Sequence, residues 1–331
     1  MIDTEKEYIF NGPFARYCSI YVDYKKGLGY KFQVSSYYRL RQIDNFFKKY
    51  NLKNPILTKK MVDHYVRKRG NESTKTQHQR MSTIRQFALF MNTLEFDFYV
   101  FPKNEFIKIR DNFTPYIFTH KEISDIWSVI DTLSLAENNE YDSLIYPMFL
   151  RMLYGCGLRI NEALTLHKID IDLENGVLTV NKAKNNITRL VPMSETLTKY
   201  CRNYVRKMAF DMKTEGYFYP APDTQTYKSS SILNDFRRIL LKAGIISSGS
   251  VNPRIHDLRH TFAVHSLEKM VSQGQDIYSA LPMLQTYMGH RDIISTEQYL
   301  RLSSDTYGII INSTAEMYQG VFPEVNEDER I

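Results

Sequence analysis

The sequence predicts a mainly helical protein with one small β-hairpin, an α+β fold divided between two domains. Over most of the chain, apolar residues recur three or four positions apart, the spacing that places them on one face of a helix. Residues 176–193 depart from this pattern, because two runs rich in β-branched residues flank a polar turn there. The length of 331 residues is enough for two domains that each bury a core.

Residues 1–102 are predicted to form a domain of four amphipathic helices. Glycines end the first and third of these helices, and Thr58 is the expected N-cap of the third. Ser35 or Ser36 is the expected N-cap of the second. The residues expected in the core of this domain are Phe14, Cys18, Tyr21, Val22, Leu40, Ile43, Phe46, Phe47, Met61, Val62, Tyr65, Met81, Ile84, Phe87, Ala88 and Met91.

A linker is predicted at 103–116, because the stretch 101–116 contains two prolines and charges of both signs. The second domain, 117–313, is predicted to begin with a helix that Thr119 and Glu122 cap. A buried helix, the hairpin and a mainly helical remainder follow. Residues 314–331 end in an acidic run and are predicted to form a C-terminal segment with a mobile tail.

Positive charge is concentrated in the first third of the chain. The net charge is +6, but residues 1–110 contain 21 Lys and Arg against 10 Asp and Glu, whereas the other 221 residues contain 22 against 27. A basic domain beside an acidic one is typical of a protein that binds a polyanion, of which nucleic acid is the most common, although a solvated lysine-rich surface has the same composition. The polar face of the fourth helix supplies the expected DNA contacts Lys75, His78, Arg80 and Arg85.

Composition also argues against several classes of protein. No apolar run approaches the roughly 18 residues of a membrane-spanning helix, and the acidic start lacks the features of a signal peptide. We therefore expect a cytoplasmic chain without a membrane partner. The three cysteines, Cys18, Cys156 and Cys201, are far apart in the sequence and are expected to be reduced thiols.

The stretch HDLRHTFAVH, residues 256–265, allows two interpretations. His256 and His260 have the helical spacing of two zinc ligands, and His256 and Arg259 have a spacing that directs two donors at one anion. A helical zinc protease motif needs glutamate after its first histidine, where this chain has Asp257. Arg259 would also place a positive charge beside the metal. The sequence therefore favours the anion and predicts no metal.

Further motifs carry groups that suit an anion. GCGLRINEAL places Arg159 after a glycine turn, and Glu162, three residues later, could hold its guanidinium. MGHRDIISTEQYL places His290 after a glycine and Tyr299 nine residues later. The polar turn of the predicted hairpin contains Lys182 and Lys184.

Taken in order, Arg159, a hairpin lysine, the HxxR pattern, the Gly-His pair and Tyr299 resemble the active site of the tyrosine recombinase (phage integrase) family. The spacings are similar to those of Xer and Cre-like members. The resemblance covers about 116–312, and 1–102 resembles the family's core-binding domain, so it implies a two-domain clamp around DNA. The segment that contains 267–288 is longer than in Xer-type members and resembles that of transposon-borne recombinases; its role stays open.

The resemblance implies a site-specific recombinase that cuts and rejoins DNA through a 3′-phosphotyrosyl intermediate, without a cofactor. Tyr299 would attack the phosphate, and Arg159 and Arg259 would hold it, because a guanidinium can bond two phosphate oxygens at once. The other implied roles are Lys184 as general acid with Lys182 as the alternative, His256 as acid or base near Tyr299, and His290 as a hydrogen-bond partner of a phosphate oxygen. Lys182 and Arg189 are the expected DNA contacts of this domain. Asp257 is expected to support Arg159 or a backbone amide, while His260 and His265 are expected only to pack or to cap their helix.

The implied partners are double-stranded DNA sites, a homotetramer on two such sites and an accessory directionality factor, with 314–331 docking on a neighbouring subunit. The leading expectation is integration, excision or transposition of a mobile element. The alternatives are Xer-like dimer resolution, a topoisomerase-like relaxing enzyme, a metallohydrolase built on His256 and His260, and a catalytically silent DNA-binding regulator. The silent regulator is disfavoured because every implied catalytic position holds the residue type that the chemistry needs. Tyr307 and Tyr318 are the alternative nucleophiles.

Overall fold

The computed structural model describes residues 9–30, 32–109, 114–132, 142–181, 188–221, 226–246, 253–290, 292, 294–297 and 299. The chain divides into two compact units, Met1–Phe113 and Thr114–Ile331. The predicted class is confirmed, because the described residues are mainly helical and the second unit contains a small antiparallel sheet. None of the helices in these ranges is long and apolar enough to cross a membrane.

The first unit contains the four predicted helices, α1 (Ala15–Gly27), α2 (Val34–Phe47), α3 (Lys59–Val66) and α4 (Thr74–Thr93). Its core is rich in aromatic rings that meet edge-on, as where Phe14 contacts Phe47 with centroids 5.6 Å apart. The predicted cap of α3 is confirmed, since the Thr58 hydroxyl accepts a hydrogen bond from the Met61 amide.

The predicted cap of α2 is wrong. The helix begins at Val34, before both serines, and Gln33 occupies the N-cap position without a side-chain hydrogen bond. The hydroxyls of Ser35 and Ser36 instead accept hydrogen bonds from the guanidinium of Arg39, one turn further along the helix.

The boundary between the units falls inside the predicted linker. Lys103–Glu105 forms a single 3₁₀ turn, and Phe106 and Ile107 pack against the core of the first unit. The second unit begins at Thr114, so the described residues 103–109 of the predicted linker are part of the first unit.

The second unit has a core of helices flanked by the sheet. The predicted capping box at its start is confirmed: the Glu122 carboxylate accepts from the Thr119 amide, and the Thr119 hydroxyl accepts from the Glu122 amide. Its helices are α5 (His120–Thr132), α6 (Asp142–Gly155), α7 (Ile160–Leu164), α8 (Glu195–Lys207), α9 (Ser229–Lys242), α10 (Asp257–Ser272), α11 (Ile277–Met288) and α12 (Ile294–Glu297).

The predicted hairpin is confirmed as β2 (Val177–Val180) and β3 (Arg189–Pro192), with Leu178 opposite Val191 in the antiparallel register. A two-residue strand, β1 (Ile171–Asp172), adds a third member that was not predicted. It is too short for a period-two pattern to be visible in the sequence. The turn between β2 and β3, which contains Lys182 and Lys184, lies outside the described residues.

Candidate active site

Arg159 is held at the start of α7 by its own helix. It occupies the N-cap position, where the Glu162 carboxylate accepts a hydrogen bond from the Arg159 amide at 3.0 Å and another from its guanidinium at 2.7 Å. The guanidinium also lies 3.4 Å from the Gly289 carbonyl oxygen. The prediction that Glu162 holds Arg159 is therefore confirmed, and about a quarter of the Arg159 side chain stays open to solvent.

Glu162 also binds a second guanidinium, which the sequence did not reveal. Arg189 donates to both Glu162 oxygens, at 3.2 and 2.8 Å, and Arg259 lies 4.0 Å from the same carboxylate. Burial alone would raise the pKa of Glu162, but the hydrogen bonds and positive charge of Arg189 and the hydrogen bonds from Arg159 lower it to about 2. Three guanidinium groups thus surround one carboxylate, so this part of the site carries more positive than negative charge.

The structure corrects the predicted role of Arg189. Its side chain is 8% exposed, so it does not offer a surface to DNA. Besides Glu162, it donates to the Tyr287 carbonyl at 3.0 Å and packs beneath Gly289. Arg189 therefore joins β3 to α7 and to the end of α11, and its position at the start of a β-strand gave no sign of this burial.

Arg259 lies on the first turn of α10 and is almost fully buried. Its guanidinium donates to the Gly157 carbonyl at 2.5 Å and to the Met288 carbonyl at 2.7 Å. Both guanidinium groups therefore contact the 288–289 turn, and Arg259 also contacts the turn from which Arg159 projects. Burial, together with the charge of Arg159, lowers the pKa of Arg259 to about 9, because both effects disfavour the charged form of its guanidinium.

Tyr299 lies close enough to Arg159 and Arg259 to be affected by their charges. These three residues, together with His256, His260 and His290, form what we call the pocket. The Tyr299 side chain is 1% exposed, its hydroxyl lies 3.2 Å from Nδ1 of His260, and its ring stacks on the ring of His290. Burial raises the pKa of the Tyr299 hydroxyl, and the charges of Arg259 and Arg159 act in the opposite direction. The contact with His260 was missed, because the HxxR pattern drew attention to His256 and left His260 with a packing role.

His256 and His290 are the two other imidazoles of the pocket. Burial and the nearby arginines lower the pKa of His256 to about 4 and that of His290 to about 3, so both rings are neutral at pH 7 in the free protein. Nδ1 of His290 lies 2.8 Å from the Thr296 hydroxyl, which orients its ring. The His256 ring packs edge-on against His260, with centroids 4.9 Å apart.

Asp257 supports a backbone amide, which was one of the two roles predicted for it. Its carboxylate accepts from the Arg254 amide at 2.7 Å and from the Arg254 guanidinium at 3.0 Å. The other alternative, support of Arg159, is wrong. Asp257 fixes the chain where α10 begins, and this places His256 and Arg259 on the first turn of that helix.

The four predicted DNA contacts on α4 differ in how much of each side chain is exposed. Lys75 is exposed, and His78 is half-buried with its ring edge-on to Phe106. Arg85 is half-buried and donates to the Phe101 carbonyl. The prediction for Arg80 is wrong: it is 2% exposed and donates to the buried carboxylate of Glu72 and to the carbonyls of Tyr65 and Arg67.

Sequence comparison identifies the family to which the chain is similar. The family model described as the phage integrase family matches residues 117–305, which is more than half of the chain and contains Arg159, Arg259 and Tyr299 but not α4. The Sinorhizobium fredii protein y4rE is 27% identical over 289 residues, which cover 86% of this chain and 90% of that one. The tyrosine recombinase XerC of Chlorobaculum tepidum is 35% identical over 159 residues, which cover 46% of this chain and 44% of that one.

Solved structures share the fold at low sequence identity. The Tn1549 transposon integrase in complex with transposon right end DNA superposes with a TM-score of 0.64 at 16% identity, covering 90% of this chain and 99% of that one. The XerH site-specific recombinase bound to a palindromic difH substrate gives a TM-score of 0.62 at 16% identity, covering 84% and 77%. These matches support the mainly helical, two-domain architecture.

Proposed function

The chain belongs to the phage integrase family and is a tyrosine-type site-specific recombinase, and from this premise we propose that it cuts and rejoins double-stranded DNA to integrate, excise or transpose a mobile element. The observation that carries the proposed chemistry is the position of Tyr299: its hydroxyl lies in the pocket where Arg159, Arg259 and His290 converge. The group that would attack and the groups that would bind a phosphate therefore share one site in one chain.

The excess positive charge suits a phosphodiester. A phosphodiester is an anion that repels nucleophiles, and attack on it places further charge on its non-bridging oxygens. Arg159 and Arg259 would bond these oxygens. The buried, low-dielectric setting of Arg259 strengthens such bonds, and a bound anion offsets the repulsion between the two guanidinium groups. The neutral rings of His256 and His290 add uncharged hydrogen-bonding groups.

Cleavage would join the Tyr299 oxygen to the DNA 3′ phosphate and release a 5′ hydroxyl. Because the new ester conserves the energy of the broken one, the proposed scheme needs no ATP, and attack by another 5′ hydroxyl completes strand exchange. The scheme assigns stabilisation of the phosphate charge to Arg159 and Arg259 and includes no metal ion. The leaving oxygen needs a proton, and a positioned general acid contributes roughly 10²–10⁴ in rate. We assign this role to Lys184, with Lys182 as the alternative.

The test is a nicked suicide DNA substrate, on which cleavage cannot be reversed because the short cleaved fragment diffuses away. The wild-type chain should form a covalent protein–DNA adduct that resists denaturation, and this should also occur in EDTA. Tyr299→Phe should form none. Tyr278→Phe is the matched control, since Tyr278 is 75% exposed and lies on α11 outside the pocket.

Several results would contradict the proposal. An adduct that persists in Tyr299→Phe and disappears in Tyr307→Phe or Tyr318→Phe would move the nucleophile. DNA binding without any adduct in the wild type would favour the silent regulator. Relaxation of supercoiled DNA without exchange between two cloned sites would favour the topoisomerase-like enzyme.

Resolution of chromosome or plasmid dimers is the second candidate, favoured by the identity with XerC over 159 residues. The two roles differ in where the protein acts. Sequencing of the DNA recovered with the Tyr299→Phe chain from cells should give the ends of a mobile element under the first proposal, and one locus of the host chromosome under the second.

A further inference from the structure

The hydroxyl of Tyr299 has a specific partner in the described part of the pocket, and that partner is His260 rather than His256. Nδ1 of His260 lies 3.2 Å from the hydroxyl oxygen, and the two side chains are 9% and 1% exposed. The rings are 5.7 Å apart and tilted, so the contact is through the polar atoms and not by stacking. A hydrogen bond buried this deeply is geometrically well defined, since water does not compete for either group.

The surroundings of His260 keep its imidazole neutral. Burial is the main cause that lowers the pKa of His260, and the neighbouring His256 is the next. Arg254 and Arg259 also lower this pKa and Asp257 raises it, so that its value is about 4. A neutral imidazole has one nitrogen with a free lone pair. With the proton on Nε2, Nδ1 can accept the hydrogen of the Tyr299 hydroxyl.

We propose that His260 is a catalytic residue of the cleavage step: its Nδ1 accepts the Tyr299 hydroxyl hydrogen, directs an oxygen lone pair at the phosphorus and takes the proton as the bond forms. This inference rests on the recombinase chemistry proposed above. The position of His260 on α10, one residue after Arg259, makes one turn of helix responsible for both the phosphate and the nucleophile.

Each proton that moves in this step has a donor and an acceptor. The bond between the Tyr299 oxygen and phosphorus forms while the bond from phosphorus to the 5′ oxygen breaks. The phenolic proton passes to His260, and the leaving oxygen receives its proton from the separate general acid. The phosphodiester between the arginines stabilises the positive imidazolium. In the rejoining step His260 returns its proton to the tyrosine oxygen.

A substrate whose leaving group needs no proton distinguishes the role of His260 from that of the general acid. In single-turnover cleavage of the nicked substrate, His260→Ala should lower the rate by about 10²-fold or more, and added imidazole should restore part of it. On the same DNA with a 5′-bridging sulfur at the scissile phosphate, the His260→Ala defect should persist, whereas that of Lys184→Ala should largely disappear. His265→Ala is the control on the same helix, because His265 contacts Tyr154 and His120 rather than the pocket.

Wild-type cleavage rates in a folded His260→Ala chain, or loss of its defect on the sulfur substrate, would overturn the inference. His260→Asn is the second variant, since it keeps an acceptor near the Nδ1 position but does not carry the proton; it should cleave slowly. Independently of both variants, the ¹⁵N resonance of His260 Nδ1 in the wild type should shift in Tyr299→Phe, and an unchanged resonance would exclude the contact. Absence of any wild-type adduct would instead refute the recombinase chemistry itself.

Discussion

At the scale of single residues, Glu162 supplies the counter-charge of three arginines, because its carboxylate binds Arg159 and Arg189 and lies 4.0 Å from Arg259. Glu162→Gln keeps the shape of the side chain but leaves these guanidinium groups without a counter-charge. Removing one partner of a buried ion pair costs about 3–5 kcal/mol, so urea unfolding should show a loss of this size and suicide-substrate cleavage should fall with it.

Glu195→Gln is the matched control for that substitution. Glu195 pairs with Lys199 on the surface of α8, where both side chains are mostly exposed, and exposed pairs contribute little to stability. A Glu162→Gln chain as stable as Glu195→Gln would show that the three arginines do not depend on the carboxylate.

Four histidines of the second unit, one buried and three half-buried, make its stability depend on pH. The pKa values of His256, His260 and His265 are lowered to about 4 and that of His290 to about 3, in each case first by burial. In the unfolded chain these groups bind protons near pH 6.5. The unfolded state therefore binds more protons between about pH 6.5 and 4, and the folded state loses stability as the pH falls through that window.

The measurement is the urea midpoint of the full chain at pH 7.5, 6.0 and 5.0, which should fall at each step. The contribution of Glu162 belongs to a lower window, because its pKa of about 2 lies below the ordinary carboxyl value, so its loss begins only below about pH 4.5. His265→Gln should reduce the slope between pH 6 and 5. A midpoint that stays constant from pH 7.5 to 5.0 would contradict the neutral state of these rings.

At the scale of elements, the turn between α6 and α7 determines where both arginines lie. Gly157 has a φ of +57°, its carbonyl accepts from Arg259, and a Cβ there would overlap the Phe262 ring and lie 2.9 Å from the Met288 sulfur. Gly157→Ala should therefore lower the free energy of unfolding by more than the roughly 1 kcal/mol that a left-handed alanine costs, and should slow cleavage by moving that carbonyl.

Gly244→Ala isolates the backbone part of that cost. Gly244 has a similar φ of +70°, but a Cβ there meets no atom within 4 Å. The two variants share the conformational strain and differ in the overlap with Phe262 and Met288. Equal losses of stability in urea would mean that the α6–α7 turn adjusts without disturbing the pocket.

The sequence predicted the elements better than the partners of individual side chains. Helical spacing and β-rich runs located α1 to α4 and the hairpin, and the ordered motifs named the residues around Tyr299. Burial of cations was not predictable, because Arg80 and Arg189 have sequence neighbours like those of exposed arginines, and only the fold brings Glu72 and Glu162 to them. His260 was missed for the same reason: its contact with Tyr299 joins residues 39 positions apart.

At the scale of the whole molecule, each chain contributes one Tyr299 pocket, and under the proposed chemistry one such pocket would cut one strand. Exchange between two duplexes requires four cuts, so we propose that four chains act on two DNA sites. Residues 314–331, outside the described structure, are the proposed contact between neighbouring chains. A chain that ends at residue 313 should keep Tyr299 and the groups around it.

The truncated chain should therefore bind a single DNA site and form the suicide-substrate adduct at rates close to those of the full chain. Pairing of two sites should weaken, because the contact between chains is lost while the protein–DNA contacts remain. Gel-shift assays measure single-site binding, and a tethered pair of sites on one DNA molecule measures pairing. If pairing were unchanged, the contact between chains would lie elsewhere; if single-site binding fell equally, the last residues would serve the DNA or the fold rather than a neighbouring chain.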